Sequence, residues 1–357
     1  MQLAASTGKI MANLTTTAQS TKKFLPVLAF LLISLILVGI IIYRLTRQPE
    51  PETLQPISTP TINQDSSQNP PQSINLDNVQ IPEIPEELPV YIVQPFNVTR
   101  ATASSLATSF GINKDPFLVE ENTLDGQQFS FEQDTRNLTI SQTTLRFSVD
   151  LTGPEISTVL SEGELREKSQ SFVNNISVIQ DELSLLPEEI KYMKVSGDRF
   201  ASANSFSDAQ FIEFPYKKQL SGIEVVDNTP QSPFATIQIR KDGQVTFFGS
   251  RFFDRFAEMG SYKLKSVERA LEEIKKGQGK VIYTAFPDEF GQTLELFRTQ
   301  PANIELAIIT KLNLAYFLPD DIAEPIQPIF VFEGSFKTNK NESGRVVIYL
   351  PAIKQTK

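Results

Sequence analysis

The chain contains no cysteine, no histidine and no tryptophan. Without cysteine there is no disulfide, no thiolate metal site and no thiol nucleophile. Without histidine the commonest general base and the commonest metal ligand are missing, and a Ser-His pair is excluded. Without tryptophan the best stacking platform for sugars and quaternary ammonium groups is gone, leaving eight tyrosines for that role. Basic residues are outnumbered too: 33 Lys and Arg against 42 Asp and Glu give a net charge of −9. An acidic body repels phosphate backbones, so nucleic acid is not an expected partner.

The charge is unevenly spread. Residues 1–47 hold Lys9, Lys22, Lys23, Arg44 and Arg47 and no acid, so with that stretch at +5 the remainder carries −14. Within it "FLPVLAFLLISLILVGIIIY", Phe24 to Tyr43, has no charged side chain. As a helix it would be about 30 Å long, the thickness of a bilayer's hydrocarbon core. It has no polar back and runs into "RLTRQPEPE" without a small-residue cleavage site. The sequence therefore predicts an uncleaved transmembrane anchor over residues 24–43, after a short cytoplasmic tail, residues 1–23. Three lysines precede the anchor and two arginines follow it, which by the positive-inside rule points the remaining chain outward. The expected placement is the cell membrane, single-pass, with the C-terminal domain extracytoplasmic.

Residues 44–89 change character. "QPEPETLQPISTPTINQDSSQNPPQS" and "IPEIPEELP" are rich in proline and polar side chains and lack Lys and Arg. Such a composition buries too little apolar surface to offset its ordering entropy, and proline biases it to extended conformations. The expectation is a linker that acts as a stalk. "PEPETLQP" is also a loose match to a Pro-rich ligand.

Beyond residue 90 the pattern is globular. Ala103, Leu106, Ala107 and Phe110 recur at helical spacing before Gly111. A second helix is predicted across "EGELREKSQSFVNNI", with Leu165, Phe172, Val173 and Ile176 inward. A third lies in "KSVERALEEIKKGQG", with Ser266 as cap and Gly277 as stop. Alternating stretches separate them: "QFSFEQ", "TLRFSVDL", "AQFIEFPYKKQ", then "FATIQIR" and "QVTFFGSRF" joined through Asp242-Gly243, a hairpin signal. Near the end, "PIQPIFVFEG", Pro325 to Gly334, is apolar on both faces and reads as a central strand, covered by a helix on one side. Helices followed by antiparallel strands give an α+β expectation, with a first unit over residues 90–160 and a second domain over 161–357.

The order "FIEFPYKKQLSGIEVV", "ATIQIRKDGQVTFFG", "YKLKSVERALEEIKKG" and "LNLAYFLP…PIFVFEG…RVVIYLPAI" resembles the extracytoplasmic domain of the YycH/YycI regulatory proteins, which are related to PepSY-type modules. The match covers roughly residues 211–353. It implies a single-pass membrane protein whose outward domain associates with a sensor histidine kinase and modulates it. No functional residue transfers by position.

Candidate chemistry is sparse. Carboxylate pairs stand at Glu120-Glu121, Glu188-Glu189, Asp288-Glu289 and Asp320-Asp321. A glycosidase needs two carboxylates across a bond, one with a raised pKa, whereas adjacent acids in polar loops are more often solvated surface. Asp320, Asp321 and Glu324 are hard oxygen ligands of the kind calcium takes, but they lack the spacing and glycine of an EF-hand, so an acidic turn is the better reading. A Ser-Lys dyad is open, and no serine is singled out. "GQG" at Gly277–Gly279 reads as a helix terminator. Sequons at Asn97, Asn137, Asn175 and Asn341 fit chance in a chain rich in Asn, Ser and Thr. "FPY" at Phe214–Tyr216 and "FFGSRFFDRF" at Phe247–Phe256 hold more rings than one buried face needs. They are strand core or a partner-binding patch.

No catalytic, cofactor-binding or metal-binding residue is designated. The expectation is a non-enzymatic, membrane-anchored interaction or regulatory module. Its partners would be the membrane, through residues 24–43, and a membrane or envelope protein. The alternative is a cell-envelope hydrolase using carboxylates or a Ser-Lys pair. A cleft with two close carboxylates of perturbed pKa would favour the enzyme, and an exposed apolar patch on a sheet the binder.

Overall fold

The structure, a computed structural model, describes residues 56–63, 69–123, 126–150, 158–176, 183–196, 199–230, 232–251, 253–286 and 303–354. Three helices form where the apolar spacing predicts them. Thr99 and Thr102 cap each other's backbone at the start of α1 (Arg100–Ser109), which buries Ala103, Leu106 and Ala107. Ser161 and Glu164 form the same reciprocal cap on α2 (Glu162–Asn175), which buries Leu165, Ser169 and Val173. Ser266 caps α3 (Val267–Lys275), whose Ala270 and Ile274 point inward, and Gly277, at φ 71°, turns the chain out of it.

Strands make up most of the rest. Ahead of α2 come β1 (Ser73–Asn75), β2 (Glu87–Gln94), β3 (Leu118–Thr123), β4 (Gly126–Gln133), β5 (Arg136–Ile140) and β6 (Thr144–Val149). Between α2 and α3 lie β7 (Leu183–Leu185), β8 (Lys191–Ser196), β9 (Arg199–Ser202), β10 (Phe211–Leu220) and β11 (Ile223–Val226). They are followed by β12 (Ala235–Arg240), β13 (Val245–Arg251) and β14 (Arg255–Lys263). The chain closes with β15 (Lys280–Ala285), β16 (Ile304–Phe317), β17 (Gln327–Thr338) and β18 (Ser343–Pro351).

Sixteen of these strands share one sheet, whose main path runs β15-β18-β17-β16-β11-β10-β12-β13-β6-β5-β4-β3. The two halves of the path meet at the hairpin between β10 and β11. Its turn residues Ser221 and Gly222 both have positive φ, 51° and 76°, the geometry whose twist matches the flanking strands. β11 then runs parallel to the end of β16, with Val225 opposite Tyr316. β2 and β14 form a separate antiparallel ribbon.

Each half has its own core. In the N-terminal half, alternate residues such as Phe129, Leu138, Phe147, Phe248, Ile237 and Phe214 pack under α1 and α2. In the C-terminal half, one face carries Phe330, Phe332, Ile348 and Leu350 under α3 and the ribbon residues Leu88, Tyr91 and Val93. Tyr316 ties the ribbon down, donating to the Pro89 carbonyl at 3.0 Å and packing edge-on against Tyr91. The opposite face carries Ile329, Val331, Val347 and Tyr349, joined by Ile62. β17 is thus buried on both faces, as its both-sided apolar pattern requires.

The architecture corrects the α+β expectation, because the fold is predominantly β. The three helices have 10, 14 and 9 residues, against eighteen strands among the described residues. The helices are where the spacing placed them. The alternating segments between them, however, join one continuous ladder instead of closing separate helix-plus-strand units. β6, from residues 90–160, pairs with β13, from residues 161–357, with Phe147 opposite Phe248.

Parts of the Pro-rich stretch are placed on this sheet. β1 runs parallel to β16, with Ile74 opposite Ala307, and Gln80 exchanges backbone hydrogen bonds with Thr310 and Leu312 at 2.9 and 3.0 Å. Backbone groups make these contacts, and composition does not report on them.

The expected anchor, residues 24–43, lies outside the described residues. Among the described residues, no helix is long and apolar enough to cross a membrane. The single-pass, outward-facing placement expected from the sequence therefore finds no support among the described residues.

Candidate functional site

The strand alternation that buries one face of the N-terminal half sends the intervening residues to the other face. Gln128, Thr139, Arg146, Thr236, Phe247 and Gly249 occupy it, and all are half-buried or exposed. Where this face meets the end of β11, a cleft of about 740 Å³ opens. That is within the range of about 300–1,000 Å³ usual for ligand sites.

An aromatic platform forms its floor. Phe247 lies along the sheet over Gly249, where a Cβ would stand 2.9 Å from the ring's Cζ. Arg146 is the cross-strand partner of Gly249. Its guanidinium carbon is 5.6 Å from the Phe247 ring centroid, a cation–π distance. Two ion pairs flank the platform: Arg251 to Asp227 at 3.3 Å and Lys217 to Glu224 at 3.3 Å. The walls include the apolar residues Leu186, Val226, Phe234 and Leu318.

Two charged groups of the cleft have no ion-pair partner among the described residues, Arg146 and Glu189. Glu189 ends the short 3₁₀ turn Pro187–Glu189. Partial desolvation pushes the carboxyl of this exposed residue above the ordinary 4.5, and the Glu224 charge adds to this, while Lys191, Arg345 and Lys217 pull the other way. The site therefore offers a guanidinium fork on one side, suited to a carboxylate, and an unpaired carboxylate on the other.

Among the described residues of the acid pairs singled out in the sequence, only Glu189 lines this cleft. Glu188, exposed like Glu189, stands beside it, and Glu120 and Glu121 are exposed on β3, an edge strand. Asp288 and Glu289 lie outside the described residues. The turn with Asp320, Asp321 and Glu324 holds the segment at residues 56–63. Glu324 accepts from the Thr61 backbone N–H at 3.1 Å and its hydroxyl at 2.7 Å. Asp320 accepts from the amides of Asn63 and Asn228, both at 2.8 Å, and Asp321 accepts from the Ala323 N–H. Among the described residues no group of three or more such side chains could hold a metal ion.

The flagged aromatics divide. Phe214, Tyr216, Phe248 and Phe253 are core, Phe256 is half-buried against it, and Phe247 faces the cleft. The buried Lys241 is occupied structurally: its Nζ donates to the Ser207 carbonyl and sits 4.6 Å from the Phe206 centroid. Of the sequon residues, Asn97 and Asn175 are exposed, Asn137 is half-buried in β5, and Asn341 has φ 63° in the β17–β18 turn.

Arg146, Lys217, Glu224, Asp227 and Arg251 were not singled out from sequence. The available signal was parity. Arg146 alternates with Leu145, Phe147 and Val149, and Phe247 and Arg251 alternate with Phe248, so one outward face collects an aromatic ring and two arginines.

No family model matches the chain, and no curated protein matches it. A solved structure of an uncharacterized protein from Eubacterium rectale ATCC 33656 is similar over 79% of this chain and 88% of that one, at 12% identity and a TM-score of 0.44.

Proposed function

We propose that this protein is a non-enzymatic interaction or regulatory module that engages a partner protein through the cleft on the open face of its N-terminal half-sheet. One observation carries this reading. Arg146 lies over Phe247, a ring laid flat by Gly249, and among the described residues no acid pairs with it. An arginine–aromatic surface without an internal partner is the composition that concentrates binding energy at protein interfaces. Association is also how the YycH/YycI family acts on its sensor kinases, so the sequence resemblance points the same way.

A second reading has one specific observation in its favour. Glu189, with its raised pKa, shares the cleft with a second acid, Glu224, and a carboxylate hydrolase uses two such acids. Against it, Glu224 and Asp227 are both engaged by cations, which disfavours either as a free base.

A photoreactive residue in place of Thr139, on the cleft wall, tests the proposal in the full chain. The expected result is capture of a discrete partner that is lost when Arg146→Gln is added. Capture that persists in Arg146→Gln and Phe247→Ala, or that occurs from Phe117 and never from position 139, would overturn it. Hydrolysis of a glycan or peptide substrate that disappears in Glu189→Gln would replace it with the second reading.

A further inference from the structure

We infer that the occupant of the cleft is an extended peptide segment of a partner protein, placing an acidic side chain on Arg146 and a basic one on Glu189. The inference rests on the reading above and adds the chemistry of what is bound.

Shape is the first argument. A second depression of about 280 Å³ lies on the same sheet, bordered by Ser148, Glu213 and Gln238, and Phe247 borders both. The ring is therefore a saddle between two hollows. A compact small molecule would fill one of them, whereas an extended chain, rising about 3.3 Å per residue, can cross the ring and occupy both.

Charge is the second. The cleft is lined by three cations, Arg146, Lys217 and Arg251, and three acids, Glu189, Glu224 and Asp227. Two pairs neutralise each other, which leaves one group of each sign. A polyanion such as nucleic acid finds no net positive field here. A segment with one acid and one base is complementary at both points. The guanidinium fork matches a carboxylate bidentately, and Glu189 matches an ammonium or guanidinium.

The remaining lining fits a peptide backbone. Gln128, Thr139 and Thr236 offer side-chain donors and acceptors to amide groups that lose water on binding. Leu186, Phe234 and Leu318 give an apolar side chain a place to bury.

Selection of a random dodecapeptide display library on the full chain tests this. The expected result is a family of peptides with Asp or Glu and Lys or Arg at a fixed spacing. Arg146→Gln should abolish the acidic preference and Glu189→Gln the basic one, each weakening a recovered peptide about tenfold, equivalent to 1.4 kcal/mol. Cooperative thermal melts at or above the wild-type midpoint will show that both variants are folded. The inference is overturned if no peptide is enriched, if enriched peptides lack an acid, or if Arg146→Gln leaves their affinity unchanged. Should partner capture from position 139 still depend on Arg146 while the library yields nothing, the interaction reading stands and the peptide inference alone falls.

Discussion

Gly249 and Arg146 are paired across β13 and β6, and the missing side chain of the first lets Phe247 lie beside the guanidinium of the second. A Cβ at position 249 would stand 2.9 Å from the ring, so Gly249→Ala should turn the ring off the sheet. The ring edge can move towards solvent, so the stability loss should stay under about 1 kcal/mol. Binding of a selected peptide should fall. Urea melts and a binding titration on the same variant check both parts, and unchanged affinity would detach the glycine from the site.

β17 gives a sharper stability test. Phe330 and Phe332 have no exposed surface, and truncating either to Ala should cost about 3–5 kcal/mol. That is a large share of the roughly 5–15 kcal/mol that holds a typical domain together. Lys337→Ala, at the exposed end of the same strand, should cost under about 0.5 kcal/mol. Chemical denaturation of the three variants is the measurement, and phenylalanine variants that melt like wild type would contradict a doubly covered strand.

Tyr349 is fully buried, and its hydroxyl has no hydrogen-bond partner among the described residues. Burial pushes its pKa well up, and the charges of Asp227, Glu224 and Glu333 push it further. An unsatisfied buried hydroxyl costs about 1–3 kcal/mol, so Tyr349→Phe should stabilise the fold, by up to about that amount. A lower melting temperature for this variant would show that the hydroxyl has a stabilising role.

Glu189 predicts a pH dependence of opposite sign to the usual carboxylate. Its folded pKa is raised above the ordinary 4.5, so the folded state binds the proton more tightly than the unfolded chain does. Its stabilising contribution is full below about that pH and is lost as pH rises through the folded value. Glu189→Gln should therefore raise the melting temperature at pH 7 and leave it unchanged at pH 4. Stabilisation at both pH values, or at neither, would contradict the desolvation of that carboxyl.

Much of this fold was legible in residue spacing. The helices at Arg100, Glu162 and Val267 follow from apolar stripes, with a cap read only at Ser266, and the burial of Phe330 from a strand apolar at both parities. Fold class is not legible this way, because spacing reports an element's own faces and not its neighbours: nothing local to "TLRFSVDL" says that it pairs with "QVTFFGSRF". Composition makes residues 56–63 and β1 look like stalk because it counts side chains. Their attachment uses backbone groups, Ile62, and the Thr61–Glu324 and Asn63–Asp320 hydrogen bonds. The cleft was half legible. Excess rings at Phe247–Phe256 pointed to a surface, and Glu189 stood in a flagged pair, but only the sheet brings Arg146 to Phe247.

Amide hydrogen exchange of the full chain, with and without its captured partner or a selected peptide, tests the central claim most directly. Binding through the open face predicts slowed exchange in β6, β12 and β13 and at residues 183–189, with α1 and α2 unchanged. The competing surface is the edge of the sheet at β3, where Phe117 and Leu118 are 63% and 42% exposed. Protection confined to residues 117–123, with the cleft strands exchanging as in the free protein, would contradict the account.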